Sequence, residues 1–338
     1  MPLVIELTAE TGECEIPAGV THADIFLVGA GGGGLSGGGG GGYTGTWLFV
    51  KLDEVPGYNN GKIPFVVGRG GLGRSGDIMS YASVGDDGGY TRFGSDDTYQ
   101  VDGGKGAWNS SDYNIREGGD GGSGGGASAS RDQPTGAGGS DGSDGGSGQR
   151  GDGGSGQGTT TRAFGESEGE LYAGGGGAGN FDTTGQPGGD GGGGDGGNND
   201  GDNENPAGNG QDGEDGKGGG GGGKGDGAFG ISGRGGHGII LVRFNSPRKI
   251  TITDLKAPNE ANAQVEDGTG VQVKLWINKE DTGAPDVLVT DATITGGTME
   301  VTFAFLAADG DPVLGVAKWT AGGETYFFPI DTTAQEDV

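Results

Sequence analysis

The sequence predicts a mostly β and irregular protein with very little α-helix. A small β-sheet base carries an inserted polyglycine-II helix bundle, and an immunoglobulin-like β-sandwich follows. Three observations lead there. Glycine, 90 of 338 residues, recurs on a three-residue beat between Gly118 and Gly238. Apolar strand candidates stand directly before and after the glycine. Residues 248–338 hold only nine glycines but several short apolar runs at close spacing. The expected domains are 1–245 and 246–338.

The beat is the strongest signal. Gly136, Gly139, Gly142, Gly145, Gly148, Gly151 and Gly154 are consecutive beats, as are Gly185 to Gly197 and Gly210 to Gly225. Three is the period of the extended left-handed helix, not of an α-helix (3.6) or a strand (2.0). Such a helix has no internal hydrogen bonds, so its backbone groups must pair with neighbours. Glycine on every beat leaves a face that another backbone can approach closely. The all-glycine pieces Gly174–Gly177, Gly191–Gly194 and Gly218–Gly223 are expected inside, and pieces carrying Asp, Ser, Gln or Lys outside. A straight Gly136–Gly154 piece would reach roughly 60 Å.

Other readings of the glycine are weaker. Disorder fits the composition. A collagen triple helix wants more proline and an unbroken beat. A calcium-binding β-roll wants an apolar residue in each nine-residue repeat, and this stretch lacks them.

In chain order, residues 3–7 begin a strand, and Ile16–Val20 reads as a turn. Asp24–Val28 is an apolar strand running into Gly29–Gly34, and Gly37–Gly42 is a second glycine piece. Tyr43–Val50 and Ile63–Val67 are further strands, and Ile239–Phe244 closes the glycine region. A strand on each side of the glycine is expected to pair in one sheet. Beyond it, Lys249–Asp254, Val271–Ile277, Val287–Thr290, Ala292–Thr295, Met299–Phe305, Val313–Trp319 and Thr325–Ile330 read as strands. About seven strands in about 90 residues is the density of an immunoglobulin-like sandwich.

Composition excludes some functions. A formal net charge of −28 argues against a nucleic-acid phosphate binder, which needs a basic face. A single cysteine, Cys14, permits no disulfide framework. Residues 1–7 lack the basic start and apolar core of a secretory signal, and no apolar run is long enough to span a membrane. Synthesis in a cytoplasm without export by the usual route is expected, and a virus particle is one vehicle that would carry such a chain outside. No nucleophile–histidine motif stands out, and His22 and His237 read as structural. No enzyme activity, cofactor or metal site is expected.

Two surfaces are candidates for recognition. Tyr81, Tyr90, Tyr99, Trp108 and Tyr113 lie among Asp86, Asp87, Asp96, Asp97, Asn109 and Asp112, a mixture that suits sugars or protein loops. The competing reading is that these aromatics cover the base sheet, and Phe93 reads as core. The second surface is the set of loops expected to join glycine helices, Thr159–Tyr172, Phe181–Gln186 and Asn198–Asn209, which adds Tyr172 and Phe181. Their acidity suits a basic patch, a divalent cation or an amine-bearing sugar. Its bland alternative is solubility alone.

Pro17-Ala18-Gly19-Val20-Thr21, the strand Asp24–Val28 and the glycine that follows resemble the opening of the glycine-rich domain of phage tail fibre and related surface proteins. Arg92-Phe93-Gly94 is similar to an internal element of that family. His237–Phe244 is similar to its closing strand. The resemblance covers about 1–245. It implies a rigid polyglycine-II body whose exposed loops bind host receptors. The expectation is a structural virion protein, a tail fibre or tail-tip adhesin. Its implied partners are other virion proteins, a host surface glycan or outer-surface protein, and further copies of itself, a trimer by default. A head fibre or capsid-decorating protein and a glycan-degrading tailspike remain open alternatives.

Overall fold

The structure is a computed structural model. It describes residues 3–17, 20–74, 84–109, 116–128, 136–141, 157–180, 184–198, 208–225, 230–245, 248–252, 268–277, 287–296, 298–303, 312–321, 324–333 and 335–336. The chain divides into two compact units: Val4–Pro17 with Asp24–Arg243, and Phe244–Val338 with Met1–Leu3 and Ala18–Ala23. The described residues are mostly strands and extended glycine. Their only helical pieces are three single 3₁₀ turns, Leu52–Glu54, Asp97–Tyr99 and Ala163–Gly165.

The strands of the glycine-rich part are β1 (Leu3–Leu7), β2 (Thr11–Glu15), β3 (His22–Val28), β4 (Thr44–Lys51), β5 (Lys62–Val66), β6 (Thr91–Phe93), β7 (Gln100–Val101), β8 (Trp108–Asn109), β9 (Arg116–Glu117) and β10 (Ile239–Asn245). One sheet has the order β1-β10-β3-β4, so the strand that closes the glycine region lies beside the one that opens it. Every residue of β3 from Ala23 to Val28 is buried, which requires cover on both faces. One face packs Phe26 and Val28 against Phe164, Tyr172, Ala173, Ile239 and Leu241. Phe26 meets Tyr172 edge-on, ring centroids 5.3 Å apart. Asp24, fully buried on β3, takes Arg243 of β10 at 2.9 Å and the Phe49 N–H at 2.9 Å. The guanidinium reaches on to Glu166 at 2.7 Å and lies 4.1 Å over the Phe164 ring. A buried carboxylate is tolerated because each of these partners offsets its desolvation. A second sheet, β2-β5-β6-β7, buries Cys14, Ile63, Phe65 and Phe93.

The glycine is organised by its backbone. Along 29–34 successive N–H groups donate to Tyr43, Gly89, Gly236, Gly40, Asp86 and Gly233, at 2.8 to 3.0 Å. The partner changes at each residue and returns at every third, to 37–43, then 84–90, then 230–238. A strand would alternate between two neighbours, and an α-helix would bond to itself. The carbonyls of the same segment accept from 102–108, 68–74 and 218–225. Segment 29–35 is thereby enclosed by 84–90, 102–108, 37–43, 218–225, 230–238 and 68–74, each hydrogen-bonded to the next. Segments 37–43, 173–180 and 218–225 are enclosed in the same way. Gly220 to Gly225, for example, donate in turn to Gly174, Gly32, Gln211, Gly177, Leu35 and Gly208.

Between their ends these four interior segments hold nothing larger than alanine apart from Lys224, whose side chain is fully buried. A Cβ added to Gly42 would sit 1.9 Å from the Gly29 carbonyl oxygen, and one on Gly220 would sit 1.9 Å from that of Gly39. Where sequence and structure differ, the turns are responsible. The beat from Gly185 to Gly197 is two antiparallel segments, reversed at Asp190–Gly192, where Gly191 and Gly192 have φ of 99° and 91°. Gly191–Gly194 lies on the perimeter, not inside, and Gly191 to Gly193 are half-exposed. The beat from Gly210 to Gly225 is likewise folded back at Gly216 and Gly218 (φ 79° and 66°). The long run through Gly154 is described only over 136–141.

The second unit contains β11 (Arg248–Ile252), β12 (Gly268–Ile277), β13 (Val287–Thr295), β14 (Thr298–Phe303), β15 (Pro312–Ala321), β16 (Glu324–Thr333) and β17 (Gln335–Glu336). They form one hydrogen-bonded sheet, β16-β15-β12-β13-β14-β11-β17. One residue separates β16 from β17, so the two edges of the order are one piece of chain and the sheet wraps onto itself. The core inside includes Ile250, Val271, Val273, Leu275, Ile294, Met299, Val301 and Val313. The two strands expected at 287–290 and 292–295 are the single strand β13. The register shifts between its Val289↔Val273 and Ala292↔Val271 pairs, which places an extra residue there. That bulge lets Val289 and Ala292, three residues apart, face one core.

Gly42→Ala and Gly220→Ala are expected to destabilise the chain by more than about 3 kcal/mol each, because a backbone carbonyl must move. Gly158→Ala, where nothing lies within 4 Å and only the φ of 75° is strained, is expected to cost about 1 kcal/mol. Urea midpoints of the three variants check the ranking.

Candidate functional site

Hydrogen-bond registers give the glycine body two ends. Segments 29–35, 68–74, 102–108, 173–180, 192–198 and 218–225 run away from the β1-β10-β3-β4 sheet. Segments 37–43, 84–90, 184–190, 208–214 and 230–238 run back. At the sheet end several reversals are tight, as at Asp190–Gly192 and Asp215–Gly218. At the far end the chain departs at Arg74, Asn109, Ser128, Asn180, Asn198 and Gly225, and returns at Val84, Arg116, Gly136, Thr184, Gly208 and Gly230.

This geometry sorts the candidate residues. Trp108 lies at the far end, 40% exposed, bridged to Val84. Tyr90 lies at the other end of segment 84–90, roughly 19 Å away at about 3.1 Å per residue. It is 42% exposed, with the Arg92 guanidinium 5.4 Å from its ring. Tyr99 is half-buried edge-on against Trp47, centroids 5.7 Å apart. The described aromatics of the first surface therefore do not share one patch. Tyr172 is core at the sheet end. Burial, before the nearby Glu170 carboxylate, pushes its phenol up to about 12, and Lys217 sits 5.0 Å over the ring. The loop Thr159–Tyr172 is thus at the sheet end, with Phe164 buried, not at a far-end tip. Tyr81, Tyr113 and Phe181 lie outside the described residues. Phe93 is fully buried.

Three apolar side chains join Trp108 at the far end: Leu72 (61% exposed), Ile231 (51%) and Val84 (46%). They stand on adjacent perimeter segments, in the order 230–238, 68–74, 84–90, 102–108. The registers put Arg74, Val84 and Trp108 at one level, Ile231 one residue beyond it and Leu72 two residues short of it. Arg74 ties the row together. Its guanidinium donates to the Val84 carbonyl at 2.9 Å and to Asp86 at 2.6 Å, and its N–H donates to Ser232 Oγ at 2.7 Å. Leu72, Val84 and Ile231 were not singled out by the sequence. The available signal is that a perimeter segment points one residue in three outward, as with Val84, Asp87 and Tyr90, or Asp102, Lys105 and Trp108.

The acidic side chains have a specific task. A perimeter segment lacks a neighbour on one side, so some of its N–H groups have no backbone acceptor. Asn209, Asp212 and Asp215 supply it: their carboxyl or amide oxygens accept from the N–H groups of Ile231, Arg234 and His237, at 2.8 to 3.0 Å. Asn198 and Asp195 do the same for Gly185 and Gly188, at 2.7 and 2.9 Å. Asp87 caps Gly106 at 3.0 Å. Both the cap and its target recur every three residues, so the caps follow the glycine beat. Among the described residues no group of His, Cys, Asp or Glu is placed to hold a metal ion.

Two outcomes follow for the caps. Asp195→Ala and Asp212→Ala are each expected to cost about 1 kcal/mol, while the Asn variants keep the acceptor and most of the stability. Asp215 is held at about 2 by its hydrogen bonds from Arg234, against burial and with help from the His237 N–H. Its folded value lies below its ordinary one, so its contribution is complete above about pH 4 and disappears as the pH falls toward 2. Acid unfolding curves of the chain and of Asp215→Asn check this: the variant loses that part of the slope.

A search of curated proteins gives no match. The model of a family described as a glycine-rich domain matches residues 8–245, from β2 to the end of β10. That span contains β2 to β10 and every segment of the glycine body, and the chain belongs to this glycine-rich domain family.

Proposed function

We propose that this chain is a non-enzymatic structural protein of a tailed-phage virion, a tail fibre or tail-tip adhesin. In this reading the body is a polyglycine-II bundle, and its far-end connections contact the host surface. The C-terminal sheet is an immunoglobulin-like module. The three-partner rotation of N–H groups supports the polyglycine-II assignment, because only a three-residues-per-turn chain directs successive amides at three neighbours. The single core enclosed by β11 to β17 supports the module.

The observation that carries the functional reading is the contrast between the two ends. The interior is fixed by backbone bonds and is almost wholly glycine, so it has little room to vary its chemistry. At the far end the chain leaves and re-enters the described body six times, and connections on a rigid body are where sequence is free to change. A stiff body with variable connections at one end is a presenting device. In sequence, Tyr81, Tyr113 and Phe181 fall between three of these departure and return points, and Trp108 flanks one of them.

Binding of the labelled chain to host cells, and its competition with virion adsorption, tests the reading. The wild-type chain is expected to bind and to block adsorption. Combining Tyr81→Ala, Tyr113→Ala and Phe181→Ala is expected to reduce both at least about tenfold without moving the thermal midpoint. A wild-type chain that neither binds nor competes, or a triple variant that acts like wild type, rejects it.

A further inference from the structure

We propose that two copies of this chain meet through the side of the glycine body formed by 230–238, 68–74, 84–90 and 102–108. This does not depend on the host-binding role.

Charge selects this side. Two chains of net charge −28 repel each other, and can approach only where their charges are locally balanced. Four bases of the glycine segments stand here, each beside an acid. Arg69 pairs with Glu10, Arg74 with Asp86, Lys105 with Asp87, and Arg234 with Asp212 and Asp215. The other flank differs: 184–198 carries Asp190 and Asp195 and no lysine or arginine.

Chemistry selects the same side. Ile231, Leu72, Val84 and Trp108 form the exposed apolar row, at 51%, 61%, 46% and 40%. The polar groups around it are already engaged. Arg74 holds Asp86 and the Val84 carbonyl, Ser232 Oγ donates to the Gly34 carbonyl at 2.7 Å, and Asn209 caps Ile231. A sugar needs several hydrogen-bonding groups, and of the four described side chains in this row only Trp108 carries one, its indole N–H, whereas an apolar row on a second copy needs none. The row is also self-complementary. A two-fold axis through its middle sets Trp108 against the partner's Ile231 and Leu72 against the partner's Val84. Four side chains are fewer than a standard interface contains, so the dissociation constant is expected on the order of 10 µM.

Analytical ultracentrifugation of the full chain, at about 5 to 200 µM protein and in about 20 or 500 mM salt, is the test. Expected is a monomer–dimer equilibrium at least about tenfold tighter in high salt, because screening removes the repulsion between copies. Leu72→Glu and, separately, Ile231→Lys abolish the dimer and leave the thermal midpoint in place, since both side chains point outward. Asp195→Asn, on the other flank, leaves it intact. A monomer throughout, a dimer that loosens as salt rises, or a dimer indifferent to both apolar variants overturns the proposal.

Discussion

Everything in the glycine-rich part depends on one constraint: a peptide group taken out of water must find a partner. A chain of glycine has nothing else with which to hold itself together. Each residue loses more conformational freedom on folding than any other type, and each gains no side-chain burial. What remains is a net of order 1 kcal/mol per hydrogen bond. Segment 29–35 obtains these bonds on all sides, donating to three neighbours and accepting from three others. A side chain at Gly42 or Gly220 would push a neighbour off by an ångström or more. The absence of side chains is therefore the condition for the bonds, and the bonds are the reason the segments are ordered.

The same constraint explains the edges and the charge. An outer segment has amides that no backbone reaches, and the period-three aspartates and asparagines reach them instead. Asp212 and Asp215 each do two things, accepting from a backbone N–H and binding the Arg234 guanidinium. A strongly acidic composition thus has a structural cause in addition to solubility. At the sheet end an ordinary apolar core takes over. Phe26, Phe164 and Tyr172 anchor 163–173 beneath β3, and the buried Asp24–Arg243 pair joins the strands that open and close the glycine.

The strands and the period were legible in the sequence, because apolar alternation and the glycine beat are local patterns. β3, β4, β5 and β10 fall within a residue or two of where the pattern put them. β2, with Gly12 and three acidic or polar neighbours, was missed; it is a strand because Cys14 pairs with Ile63 and Thr11 with Val66. The reversals inside the beats were hidden for a different reason. A turn at Gly191 and Gly192 keeps glycine on the beat, so the period reads straight through it. The apolar row was hidden too. Leu72, Val84, Trp108 and Ile231 are scattered over some 160 residues and come together only through the hydrogen-bond registers between segments. Aromatics close in sequence, such as Tyr90 and Trp108, were in contrast separated to opposite ends of the body.

Amide hydrogen exchange resolved at single residues tests the central claim most directly. If backbone pairing on all sides orders the glycine, the glycine amides within 29–42, 173–180 and 218–225 exchange as slowly as those of β3 and β10, although they belong to no strand and carry no side chains. Exchange of these glycines at the rate of an unstructured chain, with β3 and β10 still protected, would contradict it: the sheets would then be folded and the glycine between them not.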